Sequence, residues 1–334
     1  MIETKVKLVN RAMELSEKWD GLADVYFKKK EFLRHTETYN PCQQRYYELY
    51  INGELSSGAI IYRLAISYLT RFIGLESPYK WIIIGVPASV SCSGLIGDKE
   101  SIDILLREIF KIEKGLILGF NIEPEYRFEH VVLIESFSTI VMTLNFKTWQ
   151  DYVMALRSSY RRRLNQISIS MNDIITEESN CSRYNEEMHS LYMNILNKTE
   201  SKLETLTLDF FKNLPGRFRL TTYSIKGKII TWHINLKDDD KIFFFFGGID
   251  YELNEKFNAY FLNLSGIIRE SIELGCKEID FGQTAEIAKT RMGGVPIHKN
   301  MFIYHRTRFL RKIFEFGKRF IKFKRDIPKA HVFK

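Results

Sequence analysis

The order of secondary-structure signals repeats along the chain, and this repeat constrains the fold more than any other feature of the sequence. In both halves, helical segments precede strand-forming runs joined by a tight two-residue turn, at Asn52-Gly53 and again at Lys226-Gly227. An amphipathic helix, a glycine and a further strand follow in each half. The repeat favours a duplicated domain, although helices and hairpins also alternate in many unduplicated α+β folds.

The length of the chain also indicates two domains, because 334 residues exceed what one hydrophobic core usually supports. The apolar fraction of 45% is sufficient to fill two cores. We predict an α+β fold of two tandem domains, each with a mixed, mostly antiparallel sheet flanked by helices. The first domain, 1–147, is predicted to open with a helical region over about 5–35. The second is predicted at 148–310, and 311–334 should form a basic amphipathic tail.

Cysteine spacing and hydropathy predict a cytoplasmic protein without a metal. The four cysteines lie far apart with no histidine cluster beside them, so neither a zinc site nor a disulfide framework is indicated. The first residues lack the apolar core of a signal peptide. The longest uncharged run, residues 81–97, is too short and too interrupted by proline and glycine to span a bilayer.

Positive charge is concentrated at one end of the chain. The formal net charge is +8, and residues 299–334 alone contain 12 basic and 2 acidic side chains. The rest of the chain is therefore close to neutral. This distribution argues against a basic groove for nucleic acid, so no DNA partner is expected.

Within residues 306–325 of that basic end, apolar side chains alternate with lysines and arginines. Spacings of three and four gather most of these side chains on one side of a helix: Phe309, Leu310, Ile313, Phe314, Phe316, Phe320, Ile321 and Phe323. Such a helix can make a peripheral contact with an anionic membrane. The alternative is that its aromatic side chains close the core of the second domain.

A cluster of polar side chains follows the predicted strand EIDFG. A short turn and a small helix come next, and they place Asp280, Gln283, Glu286, Lys289 and Arg291 close together. Asp280 can accept a proton at the strand end, or it can cap the turn through backbone N–H groups. Glu286 is the other carboxylate within reach.

The segment from Arg217 to Tyr304 resembles the second GNAT-like domain of the FemAB-type acyltransferases. The resemblance rests on a hairpin, the strand FFFFGGID, the helix FNAYFLNLSGIIRESIELG, the strand CKEIDFG and then TAEIAKTRMGG. It is weaker over SSYRRRLNQI and over ASVSCSGLIGD in the first half. It implies two tandem GNAT-like domains that transfer an acyl or aminoacyl group to an amine of a cell-envelope, peptide or amino-sugar precursor.

The sequence departs from the family where an acyl-CoA donor would bind. A typical acetyl-CoA-dependent GNAT domain carries a Q/R-x-x-G-x-G/A loop whose N–H groups hold the pyrophosphate. Here the connection reads IDYELNEKFNAY and lacks those glycines. The donor therefore stays open between acyl-CoA and aminoacyl-tRNA, and the altered loop matches the aminoacyl-transferring branch. A double-GNAT module without catalytic activity, which binds a precursor or partner, is the alternative.

The resemblance assigns roles to residues near the polar cluster. Lys289 falls where the family carries a lysine in an F-K-x-x-F/L-G pattern, although Ala288 precedes it here. A lysine can stabilise the oxyanion of acyl transfer as a fixed positive charge. We expect this side chain near the helix surface, so that Lys289→Met leaves the fold intact. Asn258 and Tyr260 flank the donor position in the family. Tyr260 can donate a proton to the leaving group, or it can serve packing on its helix.

Other candidates have equally plausible packing or solvated roles. Gln283, Arg291 and Tyr304 are candidate substrate-binding residues, but a tyrosine at such a position also serves packing. Arg161 and Arg162, in a run of three arginines, can hold phosphate oxygens or simply face water on a helix. His233 lies on an apolar strand and is interpreted as a core residue.

Overall fold

The computed structural model describes residues 3–65, 80–88, 90–170, 173–198, 204–320, 327 and 329–334. The strands are β1 (Thr4–Val9), β2 (Arg45–Ile51), β3 (Glu54–Ala65), β4 (Lys80–Ile84), β5 (Leu95–Gly97), β6 (Leu116–Ile122), β7 (Val132–Glu135), β8 (Thr139–Thr143), β9 (Ile175–Asn180), β10 (Phe218–Ile225), β11 (Lys228–Asp238), β12 (Lys241–Ile249), β13 (Glu278–Asp280), β14 (Val295–Ile297) and β15 (Asn300–His305).

The α-helices are α1 (Trp19–Leu22), α2 (Lys30–Tyr39), α3 (Lys99–Ile112), α4 (Trp149–Ala155), α5 (Ser158–Ser170), α6 (Glu186–Lys198), α7 (Leu208–Lys212), α8 (Tyr251–Phe257), α9 (Ala259–Glu273), α10 (Glu286–Thr290) and α11 (Arg308–Gly317). Short 3₁₀ turns lie at Ala12–Glu14, Tyr26–Lys28, Cys181–Arg183 and Lys318–Phe320.

The chain divides into two compact units, each made of two stretches of sequence. The first contains Met1–Phe137 and His298–Arg325, and the second contains Ser138–Ile297 and Asp326–Lys334. The predicted boundaries after residues 147 and 310 differ from this division. The reason is strand pairing: β8 joins the sheet of the second unit, whereas β15 joins the sheet of the first.

The first unit is built on one mixed sheet. Its described strands are ordered β1-β2-β3-β4-β6-β15-β7, with β5 paired to β3, and only the β4–β6 pair is parallel. The predicted hinge at Asn52-Gly53 is confirmed, with φ angles of 50° and 83° that suit a tight hairpin. Helix α3 buries Leu105 and Ile109 against the sheet.

The predicted helical region over about 5–35 is wrong at its start. Residues Thr4–Val9 form an edge strand that pairs antiparallel with β2; its lysines Lys5 and Lys7 are exposed, and Lys7 also pairs with the buried Glu48 at 3.3 Å. Lysines are common on edge strands because they discourage pairing with another chain. Helical structure in this region begins later, with the short helix α1 (Trp19–Leu22) and then the longer helix α2 from Lys30.

The second unit has the corresponding architecture. Its described strands are ordered β14-β8-β13-β12-β11-β10-β9, and only the β12–β13 pair is parallel. The hinge at Lys226-Gly227 again has positive φ angles, of 49° and 79°. The long helix α9 buries one apolar face, which includes Leu264 and Ile268, against the sheet. Two mixed, mostly antiparallel sheets flanked by helices therefore confirm the predicted fold class.

The basic end of the chain contributes to both units. Helix α11 belongs to the first unit, so its aromatic side chains do not close the core of the second, contrary to one of the two interpretations. Instead, Val332 and Phe333 pack into the second core. Ile321 and Phe323, which the sequence pattern included, lie outside the described residues.

Candidate functional site

The polar stretch after β13 forms a strained turn. Gly282, Thr284 and Ala285 have positive φ angles of 70°, 63° and 48°. A β-branched residue such as threonine rarely adopts this conformation, and strain of this kind concentrates at functional sites. The carboxylate of Asp280 accepts a hydrogen bond from the Gly282 N–H at 2.7 Å. Asp280 therefore caps the turn, as one of the two sequence interpretations proposed.

Lys289 lies inside this turn and not on the helix surface. Only 2% of the residue is exposed, so the expectation of a surface lysine is wrong. Its Nζ donates to the carbonyl of Gln283 at 2.7 Å and to the carbonyl of Gly282 at 3.2 Å. The reason is the geometry of α10: the helix is only five residues long, and Lys289 points back under the turn that precedes it.

The electrostatic setting of Lys289 is unusual for a lysine. Burial lowers the pKa of its ammonium group to about 7, because removal from water disfavours the charged form. The carboxylates of Asp280 and Glu286 oppose that effect, and both residues are buried. The amine therefore changes its protonation state near neutral pH.

Tyr260 belongs to the same neighbourhood. It lies in the first turn of α9, where burial raises the pKa of its hydroxyl and the charge of Glu286 raises it further. The residue also packs against the core of the second unit. The structure thus brings together four of the residues that the sequence singled out: Asp280, Glu286, Lys289 and Tyr260. We call them the Lys289 group.

The connection between β12 and α9 is not an open phosphate loop. Residues Tyr251–Phe257 form α8, and Asp250 caps this helix by accepting hydrogen bonds from Glu252 N at 2.9 Å and Leu253 N at 3.2 Å. Lys228 pairs with the same carboxylate at 2.6 Å. A carboxylate of the chain itself thus occupies the position that an anion would take at a helix start.

Asn258 joins α8 to α9. It has a left-handed backbone, with φ 50° and ψ 45°, and its side chain is exposed. Asparagine tolerates this conformation better than most residues, which explains its presence at the junction. The left-handed backbone at this junction is thus by itself a sufficient reason for an asparagine at position 258.

The three consecutive arginines lie on helix α5 and differ in their surroundings. Arg162 is exposed and Arg161 half-buried on α5. Arg163 lies 5.6 Å from the ring of Phe261 and shares a small crevice with Arg291. Sequence reasoning therefore singled out two arginines and passed over the third, because the direction of each side chain cannot be read from three consecutive identical residues.

Tyr304 belongs to the first unit, whereas the other candidates belong to the second. It lies on β15 in the first unit, where its ring stacks on that of Phe110 with centroids 3.8 Å apart. Arg311 lies over the same ring at 5.5 Å. These contacts describe a packing residue, which was the alternative interpretation for this tyrosine.

A second buried polar group in this unit was only partly foreseen. His233 is a core residue, as expected, and burial lowers its pKa to about 4. Its Nε2 lies 4.0 Å from the buried carboxylate of Glu270, which accepts a hydrogen bond from Asn235 at 2.8 Å. A cavity of about 90 Å³ adjoins these residues. The sequence did contain a signal for this group: Asn263 and Glu270 are polar residues seven positions apart, on the face of α9 that is otherwise apolar and buried.

Two classes of feature are absent from the part of the chain that the structure describes. No group of three or more histidines, cysteines or carboxylates there could hold a metal ion. No helix in the same residues is both long and apolar enough to cross a membrane.

Comparison with known proteins places this geometry in a family. Residues 155–290 match the model of the acetyltransferase (GNAT) domain, and this range includes the whole Lys289 group. No curated protein sequence matches the chain.

Solved structures share the fold at low sequence identity. A crystal structure of FemX matches with a TM-score of 0.61 and 12% identity, over 91% of this chain and 99% of that one. L-PGS from Bacillus licheniformis matches with a TM-score of 0.51 and 10% identity, over 87% and 96% of the two chains. A protein of unknown function from Bacteroides thetaiotaomicron VPI-5482 matches with a TM-score of 0.53 and 11% identity, over 86% of this chain and 92% of that one. Residues 155–290 therefore form an acetyltransferase (GNAT) domain, and the solved structures show that the two-sheet fold of the chain is the fold of FemX and L-PGS.

Proposed function

We propose that the protein transfers an acyl or aminoacyl group to the amine of a cell-envelope, peptide or amino-sugar precursor in the cytoplasm. The observation that carries this proposal is the buried amine of Lys289, whose pKa is about 7, beside the carboxylates of Asp280 and Glu286. Acyl transfer to an amine needs a cation for the oxyanion and a carboxylate for the amine proton, and these residues supply both within the range that matches the GNAT domain.

The proposed reaction is nucleophilic acyl transfer. Glu286 accepts the proton that the acceptor ammonium must lose, while Asp280 holds the turn in place through Gly282. The free amine attacks the donor carbonyl, a C–N bond forms and the oxygen becomes an oxyanion. Lys289, as an ammonium, stabilises this charge. The intermediate collapses with cleavage of the bond to the leaving group, which takes a proton from Tyr260. The attacking nitrogen loses its second proton in the same collapse, and that proton restores the Tyr260 hydroxyl, so that a neutral amide remains.

The donor that this site favours is an aminoacyl-tRNA. Asp250 occupies the amides at the start of α8, where the pyrophosphate of an acyl-CoA would otherwise bind. In addition, the N–H of Tyr260 at the start of α9 donates to the side chain of Asn254 at 3.1 Å. A donor attached through an ester does not need a pyrophosphate pocket at this loop.

The acceptor is proposed to bind through residues outside the Lys289 group. Arg161 and Arg162 would hold the phosphate of a nucleotide- or lipid-linked precursor. Gln283 lies in the turn itself, and Asn258 and Arg291 are exposed. We assign Tyr304 to packing because it stacks on Phe110 in the first unit.

The test is product analysis by mass spectrometry. The protein is incubated with one acceptor panel of amino sugars and peptides, and with separate panels of acyl-CoAs and charged tRNAs. We expect an amide product from a charged tRNA, and we expect Lys289→Met to abolish it. Lys277→Met is the matched control, because this lysine is exposed in the same unit. A product formed only from acyl-CoA would contradict the donor proposal but retain acyl transfer.

A binding module without catalytic activity is the second candidate, and one observation favours it. The Nζ of Lys289 already donates to two carbonyls of its own turn, which is what a purely structural lysine would do. In that case a precursor would bind with measurable affinity, and no donor in either panel would yield a product.

A further inference from the structure

Helix α11, at the basic end of the chain, presents a continuous apolar stripe to solvent. The exposed fractions of Phe309, Ile313, Phe316 and Phe320 are 69%, 48%, 64% and 73%. Their spacing of four, three and four residues places them on one side of the helix and the 3₁₀ turn that continues it. We call these four residues the apolar stripe. Four large apolar side chains in a row are more than the single exposed residues that surfaces normally carry.

The other side of α11 fixes this helix to the first unit. Phe314 packs against a core cluster that includes Val132 and Ile303. The guanidinium of Arg311 donates to the carbonyl of His130 at 2.9 Å. The helix is therefore held by its inner face, and the apolar stripe lies on the outer face.

Cations flank the apolar stripe. Arg308, Lys312 and Arg319 are exposed on the same helix and turn. Arg319 lies 3.7 Å from the ring centroid of Phe316 and 5.3 Å from that of Phe320. The single acidic residue of this helix, Glu315, is paired with Lys318. The outer face thus combines apolar side chains with a net positive charge.

We propose that this face of α11 binds the surface of an anionic lipid membrane, with the helix lying parallel to the bilayer. The charge complements anionic headgroups, and the apolar stripe can enter the boundary between headgroups and acyl chains. The surface lies in the first unit, and nothing in the acyl transfer proposed above depends on it. A membrane is favoured over a protein partner because exposed cations lie beside the apolar side chains, where they can pair with anionic headgroups while the apolar side chains enter the bilayer.

The test is co-sedimentation of the full chain with vesicles. Pure phosphatidylcholine vesicles are compared with vesicles that also contain phosphatidylglycerol, at several salt concentrations. We expect binding to the anionic vesicles only, and we expect it to weaken as salt rises, since screening shortens the range of the attraction. Equal binding to both vesicle types, or to neither, overturns the proposal.

Two variants separate the contributions of the stripe and the cations. F309Q/F316Q/F320Q should lose vesicle binding at all salt concentrations. K312Q/R319Q should weaken binding to anionic vesicles about 30-fold, which is ~2 kcal/mol for two charges at ~1 kcal/mol each. The matched control is M13Q, which changes an exposed apolar residue of the same unit outside α11 and should bind like the original chain.

Circular dichroism and thermal unfolding of each variant show whether it is folded, and only folded variants are compared. If the triple variant is folded and still binds vesicles like the original chain, the apolar stripe is not the membrane contact. Another outcome is that the original chain binds no vesicles and forms dimers that the triple variant does not form. In that case the apolar stripe is an interface between two copies of the chain, and the membrane proposal is wrong.

Discussion

The second unit contains two buried polar groups, and the comparison between them shows what distinguishes a candidate site from a polar core. Burial lowers the pKa of the cation in each: to about 7 for Lys289 and to about 4 for His233. Two carboxylates raise the pKa of Lys289 back toward neutrality, whereas only an amide, Asn263, acts on His233 in that direction. The first group therefore changes protonation near neutral pH, and the second does not.

The two groups also differ in their backbone. Lys289 supports a turn in which Thr284 and Ala285 adopt positive φ angles, whereas His233 and Glu270 lie in regular elements, β11 and α9. Strained turns cost stability and persist where the surroundings fix them. We infer that the Lys289 group is arranged for chemistry and the His233 group for packing, and the following variants test that contrast.

The largest expected effect is that of Lys289→Met. Removal of one group that stabilises an oxyanion typically costs 10²- to 10³-fold in kcat, and we expect a loss of about this size. The variant should also unfold more easily, by about 1–3 kcal/mol, because the carbonyls of Gly282 and Gln283 lose their donor. Steady-state kinetics and denaturant unfolding measure the two effects. Full turnover would remove Lys289 from the mechanism.

A second prediction concerns pH. If the ammonium form of Lys289 is the active one, the rate of transfer should fall as pH rises through about 7. Lys289→Arg keeps its charge throughout this range, so this limb of the pH–rate profile should be absent from any residual activity. An unchanged limb in the arginine variant would assign the titration to another group.

The same pKa makes a prediction about stability. The folded pKa of about 7 lies below the ordinary value of 10.5, so the unfolded chain binds more protons between these values. Stability attributable to Lys289 should therefore rise from about pH 7 to pH 10 relative to Lys289→Met, by up to ~1.4 kcal/mol per pH unit. Unfolding free energies of both proteins across this range provide the measurement, and parallel curves would contradict the lowered pKa.

Much of this contrast was visible in the sequence, and the missing part has a physical cause. The two hairpins, the long helix α9 and the short helix α10 follow from turn residues and periodicity, which are local signals. The burial of Lys289 is not local: it depends on a five-residue helix turning its lysine under the preceding turn. Likewise, β15 returns to the first sheet through pairing with β6, which no local pattern specifies.

A smaller effect is expected when the arginines are changed. Arg161→Ala with Arg162→Ala should raise KM for a phosphate-bearing acceptor about tenfold and change kcat less than twofold. Anchoring far from the reacting atoms contributes equally to ground state and transition state, so it affects mainly KM. Arg183→Ala is the control, because it removes an exposed arginine elsewhere in the unit. An unchanged KM at low salt would show that the two arginines simply face water.

The smallest effect on activity should come from the other buried group. Glu270→Gln keeps the shape of the side chain and can still accept a hydrogen bond from Asn235, so the rate of transfer should change less than twofold.

The same variant tests the pKa of Glu270. Burial raises this pKa above its ordinary 4.5, so the contribution of the carboxylate to stability decreases as pH rises from that value through the folded pKa. The variant should therefore gain stability relative to the original chain over that window, by about 1 kcal/mol. Glu177→Gln, which changes an exposed glutamate on β9 of the same unit, should show no such gain. A large loss of transfer in Glu270→Gln would mean that the His233 group takes part in the reaction and that burial alone does not separate the two groups.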